Sequence, residues 1–419
     1  MEYLRAYVDA ACAPEAGPGH EYGYLKEAIY QGLLGTGWNS PNPNVGALIM
    51  QGREVVARAA HRFYDKEHAE AVALRIAKER ARNANLYVSL EPCTHEGKQP
   101  PCVSAIASSS IGRVYYAGDD PDARTCKCGR PELEAEGMEV EGPLLPRASA
   151  RMNDAHYARA RGIFPVTLRL AISLDGRIAL ANGASQWLTG LSARGYTHYL
   201  RQSHDAVMVG LGTVRTDNPQ LTVRRDIIKA FVGSGIDDMR LRSPARVILD
   251  PGFDLLRELI PHSGALESPA LNIFAKSNEM REDMPWLIFA GRKGKAPAPN
   301  GLEDGIACIE VPLTTGVAEI ALVCSELKEM GVNSLMIEGG AETSQTALSQ
   351  GAVMRVDVMA APVMLGSDAK CFSPAMHLEE VADALRLHNL LSLQLNDDTL
   401  ISGYTSDFIG ESLRGMEGR

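Results

Sequence analysis

No stretch of this chain approaches the roughly 20 consecutive apolar residues of a membrane span. It also lacks tandem repeats and polar low-complexity tracts, which leaves a globular protein. The opening Met1-Glu2-Tyr3-Leu4-Arg5-Ala6-Tyr7-Val8-Asp9 has neither the basic end nor the apolar run of a secretory leader, so a cytoplasmic location is expected. Positive charge is short: 42 Lys and Arg stand against 52 Asp and Glu, a net charge of −10. Residues 1–164 hold 19 basic against 21 acidic side chains, and residues 165–419 hold 23 against 31. Neither part has the surplus of cations that a phosphate-backbone footprint requires, so small molecules rather than nucleic acid or membrane are the expected partners. A homo-oligomer is compatible with the sequence. Eight cysteines in 419 residues are too sparse for a disulfide scaffold, and where they cluster they point to metal binding or catalysis. No Gly-x-Gly-x-x-Gly opens a βαβ unit, so a Rossmann domain has no support.

What is present is 45% apolar sequence, enough for two or three cores, in alternating strand and helix patterns. Leu25, Ile29 and Leu33 recur every four residues and predict a helix stopped by Gly35. After the Pro41-Asn42-Pro43 turn, residues 45–50 and 54–58 read as paired strands. Residues 68–81 form an alanine-rich helix with Val72, Ala73, Ile76 and Ala77 inside; 86–90 and 113–117 are strands, and a helix runs from Pro100 through Ile106. Segments 166–172, 206–210, 245–249, 271–275 and 334–338 read as further strands, and 296–305 as a surface loop. The boundary falls near Phe164-Pro165, dividing the chain into α/β domains of 1–164 and 165–419.

His68, Cys93 and Cys102 make the ligand set of a catalytic zinc, with the fourth tetrahedral position left for water. Cys102 opens a helix, whose positive end favours the thiolate. Glu70 stands two residues from His68, so on a helix the two side chains diverge and Glu70 is a proton-relaying neighbour rather than a ligand. Singly, each cysteine reads as a small buried hydrophobe; jointly the four residues read as a site. His95 and Glu96 read as loop surface, and Cys126 and Cys128 as chance thiols.

The His-x-Glu and Pro-Cys pattern is that of zinc deaminases, although eight residues separate the two cysteines where nucleic-acid deaminases carry Pro-Cys-x-x-Cys. Pro41-Asn-Pro-Asn-Val-Gly46, His61, His68-Ala-Glu70 and Glu91-Pro-Cys-Thr-His-Glu-Gly-Lys-Gln-Pro-Pro-Cys102 closely resemble the deaminase domain of the bifunctional riboflavin-biosynthesis deaminase/reductase family. The resemblance implies a cytidine-deaminase-like three-layer α/β/α domain in which Asn42, His61 and Lys98 contact substrate. Residues 120–130 depart from the glycine-rich stretch usual there.

In the second domain, Gly210-Leu-Gly-Thr and Glu338-Gly-Gly end strands in turns whose open backbone N–H groups can cradle an anion. With Ser173-Leu-Asp-Gly176, Gly183-Ala-Ser-Gln-Trp187, Leu200-Arg201, Thr213–Pro219 and Leu221–Arg224 they resemble the reductase half of the same family, in the same order. This implies a dihydrofolate-reductase-like fold using NADPH. Residue by residue, Ala171, Trp187, Thr213, Asp217 and the turn Gly340, Ala341, Glu342, Thr343, Ser344, Gln345, Thr346 would meet the dinucleotide. Ser185, Arg201, Leu221, Arg224 and Glu338 would meet the substrate. Arg suits its phosphate through a planar fork of donors. Arg169 stands where the family usually has Lys, which keeps charge but weakens any general-acid role, and Pro251 stands where a hydroxyl residue is usual. The resemblance implies deamination of a phosphoribosylated diaminopyrimidinone, then reduction of its ribose to a ribityl chain. A nucleoside or RNA deaminase fused to an unrelated reductase is disfavoured by the cysteine spacing and acidic charge, and a non-catalytic scaffold by the intact zinc set.

Overall fold

The computed structural model describes residues 2–63, 66–97, 99–185, 187–259, 271–275, 279–294, 296, 305–314, 317–372 and 378–417. The chain falls into two compact units: residues 1–163 with 232–240 and 407–419, and residues 164–231 with 241–406. Among the described residues no helix is long and apolar enough to cross a membrane.

Unit 1 is built on a sheet of β1 (Gly46–Gln51), β2 (Glu54–Ala60), β3 (Asn85–Val88), β4 (Arg113–Tyr116) and β5 (Glu139–Glu141), ordered β2-β1-β3-β4-β5. β1 runs antiparallel to β2 and β3, and β3, β4 and β5 are parallel. Nearly every residue of β1 is buried, so both sheet faces are covered. Ala47 and Ile49 join Ala69, Ala73, Ala77, Cys93, Cys102 and Ile106 in one core. The helix His20–Leu34 packs on the same sheet, with Leu25, Ile29 and Leu33 buried and Gly35 at its C-cap. An N-terminal helix, Tyr3–Cys12, buries Tyr3, Leu4, Tyr7, Val8, Ala11 and Cys12 at helical spacing. Arg5 fixes it by pairing with Glu27 at 2.6 Å and lying 3.7 Å over the Tyr30 ring.

The helix expected over 68–81 is regular only from Ala69 to Ala77, and breaks at Lys78 with φ +50° into a 3-10 turn, Lys78–Ala81. Its inward face is Ala69, Glu70, Ala73 and Ala77; Ile76, expected inside, is 49% exposed. The small side chains let the helix lie close to the sheet and turn Glu70 inward.

Unit 2 contains β6 (Val166–Ser173), β7 (Arg177–Ala179), β8 (Ala206–Gly210), β9 (Ala245–Leu249), β10 (Leu287–Arg292), β11 (Ile306–Val311), β12 (Leu313–Thr314), β13 (Val317–Ala318), β14 (Leu335–Ile337), β15 (Arg355–Ala361), β16 (Lys370–Cys371), β17 (His388–Leu395) and β18 (Asp398–Tyr404). Nine of these form one sheet, β11-β10-β9-β8-β14-β6-β15-β18-β17. It is parallel from β11 to β15, and β18 and β17 close it antiparallel. β7 with β16, and β12 with β13, make two-stranded ribbons. The strand expected at 271–275 is instead a 3-10 turn, Asn272–Phe274. Buried Arg246 takes the carbonyls of Ile273 and Ala275, each at 2.9 Å, and so removes them from any strand ladder. The sheet gains β10 and β11 in its place. Of the loop expected at 296–305, residues 297–304 lie outside the described residues.

Candidate active sites

The metal site of unit 1 is assembled by three chain segments. His68 is the N-cap of the helix Ala69–Ala77, Cys93 follows β3, and Cys102 opens the helix Cys102–Ala107. His68 Nδ1 lies 3.2 Å from Cys102 Sγ and 3.4 Å from Cys93 Sγ, and the Cys102 backbone N–H donates to Cys93 Sγ at 3.4 Å. The three ligand atoms all fall within 4.8 Å of one another, the one such group among the described residues. Ligands held tetrahedrally at ordinary Zn–S and Zn–N lengths stand about 3.5–3.8 Å apart, so the donor set and its spacing fit zinc. Cys93 is drawn well below the usual thiol range, to about 4, chiefly by the hydrogen bond from Cys102 and, against burial, by His68. The same bond pushes Cys102 up.

Glu70 is 3% exposed, and its Oε2 is buried with no partner. Burial, and then the charge of Cys93, push its carboxyl up. Asn42 Nδ2 and His61 Nε2 are 3.0 Å apart, and the His61 ring meets the His68 ring edge-on at 5.1 Å. The two expected substrate residues are thus paired with each other, and His61 lies against His68. Buried Asn39 holds the turn that carries Asn42, donating to Pro43 O at 3.0 Å and Asn44 Oδ1 at 2.9 Å. Lys98 lies outside the described residues.

Sequence reasoning passed over Glu91. It is 3% exposed, and its carboxylate accepts backbone N–H groups from Asp120 at 3.3 Å, Lys127 at 2.9 Å and Gly129 at 3.0 Å. His95, expected to be loop surface, is half-buried with Nδ1 2.9 Å from Thr125 Oγ1, and Thr94 Oγ1 donates to Arg124 O at 3.2 Å. The divergent 120–130 loop is therefore stitched to the loop that carries Cys93. A Glu immediately before Pro-Cys was the available signal, but its partners lie 29 to 38 residues away.

In unit 2 the strand-ending glycines meet. Gly210, ending β8, is the N-cap of the helix Leu211–Asp217; Gly340, after the adjacent β14, is the N-cap of Ala341–Ser349. A Cβ on Gly210 would lie 2.5 Å from Thr343 Oγ1, and one on Gly340 would lie 3.1 Å from Thr213 Oγ1. Glycine at both positions lets Thr213 and the first turn of the helix Ala341–Ser349, expected from sequence as a turn over 340–346, approach each other closely. Ser344 Oγ is buried there with no partner. Asp217 is half-buried and pushed up by burial and then by Glu338. Trp187 is 65% exposed with the Arg194 guanidinium 4.3 Å over its ring. Ala171 in β6 and Ser185 are partly buried.

Arg201 and Glu338 form a bidentate pair, and Arg201 Nη1 donates to Thr222 O at 3.0 Å. Arg169 Nη1 lies 4.0 Å from Glu338 Oε1. Leu221 is buried with φ +56°, and the Arg224 backbone N–H donates to His198 Nδ1 at 3.0 Å. His198, which sequence reasoning did not single out, is held neutral: burial and the charges of Arg201, Arg224, Arg169 and Arg194 bring its pKa down to about 2.

Family models match both units: the cytidine and deoxycytidylate deaminase zinc-binding region over residues 23–118, and the RibD C-terminal domain over 165–401. The riboflavin biosynthesis protein RibD of Escherichia coli K12 is 30% identical over 362 residues, 86% of this chain and 93% of the relative. A solved structure of Acinetobacter baumannii RibD is 30% identical with a TM-score of 0.69, covering 92% of this chain and 98% of that one. The Thermotoga maritima diaminohydroxyphosphoribosylaminopyrimidine deaminase/5-amino-6-(5-phosphoribosylamino)uracil reductase is 25% identical with a TM-score of 0.72, covering 92% and 99%.

Proposed function

The chain belongs to the RibD family of riboflavin biosynthesis, a zinc-dependent deaminase joined to an NADPH-dependent reductase, and from that premise we propose which of its residues act and on what. The substrate is 2,5-diamino-6-(5-phosphoribosylamino)pyrimidin-4-one, and the deaminated product, 5-amino-6-(5-phosphoribosylamino)uracil, is then reduced at its ribose, in the cytoplasm. We assign residues 1–164 to the first reaction and 165–419 to the second.

His68, Cys93 and Cys102 hold the zinc, which when bound supplies a Lewis acid that activates water. Glu70 moves the proton. Its unpartnered Oε2 and inward placement on the same helix let it take a proton from the attacking water and return it to the departing amine. Asn42 and His61, coupled at 3.0 Å, and Lys98 orient the pyrimidine. The observation that carries this reading is a buried carboxylate oxygen, Glu70 Oε2, without a partner beside a complete His-Cys-Cys set.

In unit 2, bound NADPH would supply the hydride. Thr213, Asp217, Trp187, Ala171 and the 340–346 turn hold it, and Ser185, Arg201, Leu221 and Arg224 hold the phosphoribosyl group. Glu338 acts by aiming Arg201, since Arg201 engages both of its carboxylate oxygens; Arg169 contributes charge.

The test is a paired assay on zinc-loaded protein, following ammonia release from the diaminopyrimidinone ribotide separately from NADPH oxidation. Ammonia is expected with or without NADPH, and NADPH oxidation only when the ribotide is present. Glu70→Gln should abolish ammonia release with zinc retained and leave reduction of supplied deaminated intermediate intact; undiminished ammonia release would overturn the assignment of Glu70.

A further inference from the structure

Two of the residues assigned to the reductase substrate, Leu221 and Arg224, lie on one short segment whose backbone is under constraint. Leu221 has φ +56°, a left-handed conformation that leucine holds only where its surroundings impose it. Three hydrogen bonds do so. Arg201 Nη1 donates to Thr222 O at 3.0 Å, Val223 N to Ser243 Oγ at 3.1 Å, and Arg224 N to His198 Nδ1 at 3.0 Å. Two of the three partners share a helix, Leu191–Ser203, on which Arg194, His198 and Arg201 are spaced i, i+4, i+7 and so share one face.

That face is strongly positive. His198 is 4% exposed and feels four guanidinium groups, those of Arg201, Arg224, Arg169 and Arg194. Glu338 is engaged with Arg201 and Arg169. Cations in this excess suit a dianionic ligand group. A His198 ring that accepts at Nδ1 must carry its proton on Nε2. A second proton would remove the acceptor and add a further positive charge among the arginines.

We propose that His198 is a positioning residue for the reductase: as a neutral ring it fixes the Arg224 backbone, and so sets the exposed Arg224 side chain beside Arg201 for the substrate's phosphate. This rests on the reading that unit 2 takes a phosphoribosyl substrate. Arg201 alone does not serve, because three of its N–H groups already hold Glu338 and Thr222. Arg224 is an exposed arginine of this cluster whose backbone N–H is held by His198, so His198 determines where its side chain starts.

The proposal separates two nearly isosteric variants of the full chain. Asn places an amide oxygen where Nδ1 stood, whereas Gln reaches toward Nε2. His198→Gln should raise the reductase KM for the phosphoribosylaminouracil about tenfold, the order expected for one lost hydrogen bond, with a smaller fall in kcat. His198→Asn should restore most of that loss, and ammonia release by unit 1 should be unchanged in both. Ribose 5-phosphate binding by calorimetry supplies a readout independent of turnover, weakened in the Gln variant and recovered in the Asn variant. Equal behaviour of the two variants, or equal loss of kcat and KM effects without Asn rescue, would overturn the role of His198. A parent chain that binds ribose 5-phosphate with this Asn-against-Gln pattern but never oxidises NADPH would uphold His198 and overturn the reductase reading instead.

Discussion

Arg201 and Glu338 meet fork to fork, Nε to Oε2 at 2.9 Å and Nη2 to Oε1 at 2.8 Å, joining the helix Leu191–Ser203 to the end of β14. The side chains are 12% and 16% exposed, and Arg169 stands 4.0 Å from the same carboxylate. The two arginines lower the Glu338 pKa despite its burial. Glu338→Gln therefore leaves two buried guanidinium groups facing each other without a counter-charge. It should cost about 3 kcal/mol of unit 2 stability and abolish NADPH oxidation, with ammonia release retained. Replacing both partners, Arg201→Met with Glu338→Leu, should recover the part of the stability owed to Arg201 but not the part owed to Arg169, which still lacks its counter-charge, and none of the reduction. A Glu338→Gln chain as stable to urea as the parent would show that the pair does not hold the site.

His198 makes unit 2 sensitive to acid. Its folded pKa lies near 2 against an ordinary 6.5, because burial first, then Arg201, Arg224, Arg169 and Arg194, oppose its charge. Between those values the unfolded chain binds a proton that the folded chain refuses. The contribution is thus fully present above pH 6.5 and is lost as pH falls, at about 1.4 kcal/mol per pH unit. Urea titrations of the parent and His198→Asn between pH 7 and about 5 should show a shallower pH dependence in the variant. Parallel slopes would refute a neutral ring at this position.

The His68, Cys93 and Cys102 cluster was legible because each residue is announced locally: a His at a helix start, a Cys after a strand and a Cys at a helix N-terminus. Glu70 was legible too, by its inability to share a ligand's direction two residues away. What escaped depends on partners distant in sequence. Leu271-Asn-Ile-Phe-Ala275 alternates like a strand, yet its carbonyls are taken by Arg246, 27 and 29 residues earlier. Ile76 fits an apolar helical face by composition, but alanines on the neighbouring face allow the closer approach to the sheet, and Ile76 stays outside. Glu338 was matched as a substrate contact by resemblance; its fork with Arg201, 137 residues away, had no signal in the sequence. His198 carries no local signal beyond its identity, and Glu91 only its place before Pro-Cys; each acts on a backbone N–H brought to it by the fold.

Gly129 fastens the divergent loop to the Glu91–Pro92 segment that precedes Cys93. It donates its N–H to Glu91 Oε1 at 3.0 Å, and a Cβ there would lie 2.2 Å from the carbonyl oxygen of Pro92 and 3.1 Å from Glu91 Cγ. The obstruction is mostly backbone, so no rotamer change relieves it, and Pro92 directly precedes the ligand Cys93. Gly129→Ala must therefore displace either the Glu91–Pro92 segment or the 120–130 loop. Zinc retention against a chelator should weaken about tenfold, as for other changes behind a metal's ligands, and ammonia release should fall in step while NADPH oxidation with supplied intermediate persists. Gly23, in the helix His20–Leu34, has nothing within 4 Å of its would-be Cβ. Gly23→Ala in the same unit should act in the opposite sense, stabilising it by about 0.5–1 kcal/mol through helix propensity. Unchanged zinc affinity in Gly129→Ala, measured beside this control, would uncouple the loop from the metal and leave Glu91 a purely structural clamp.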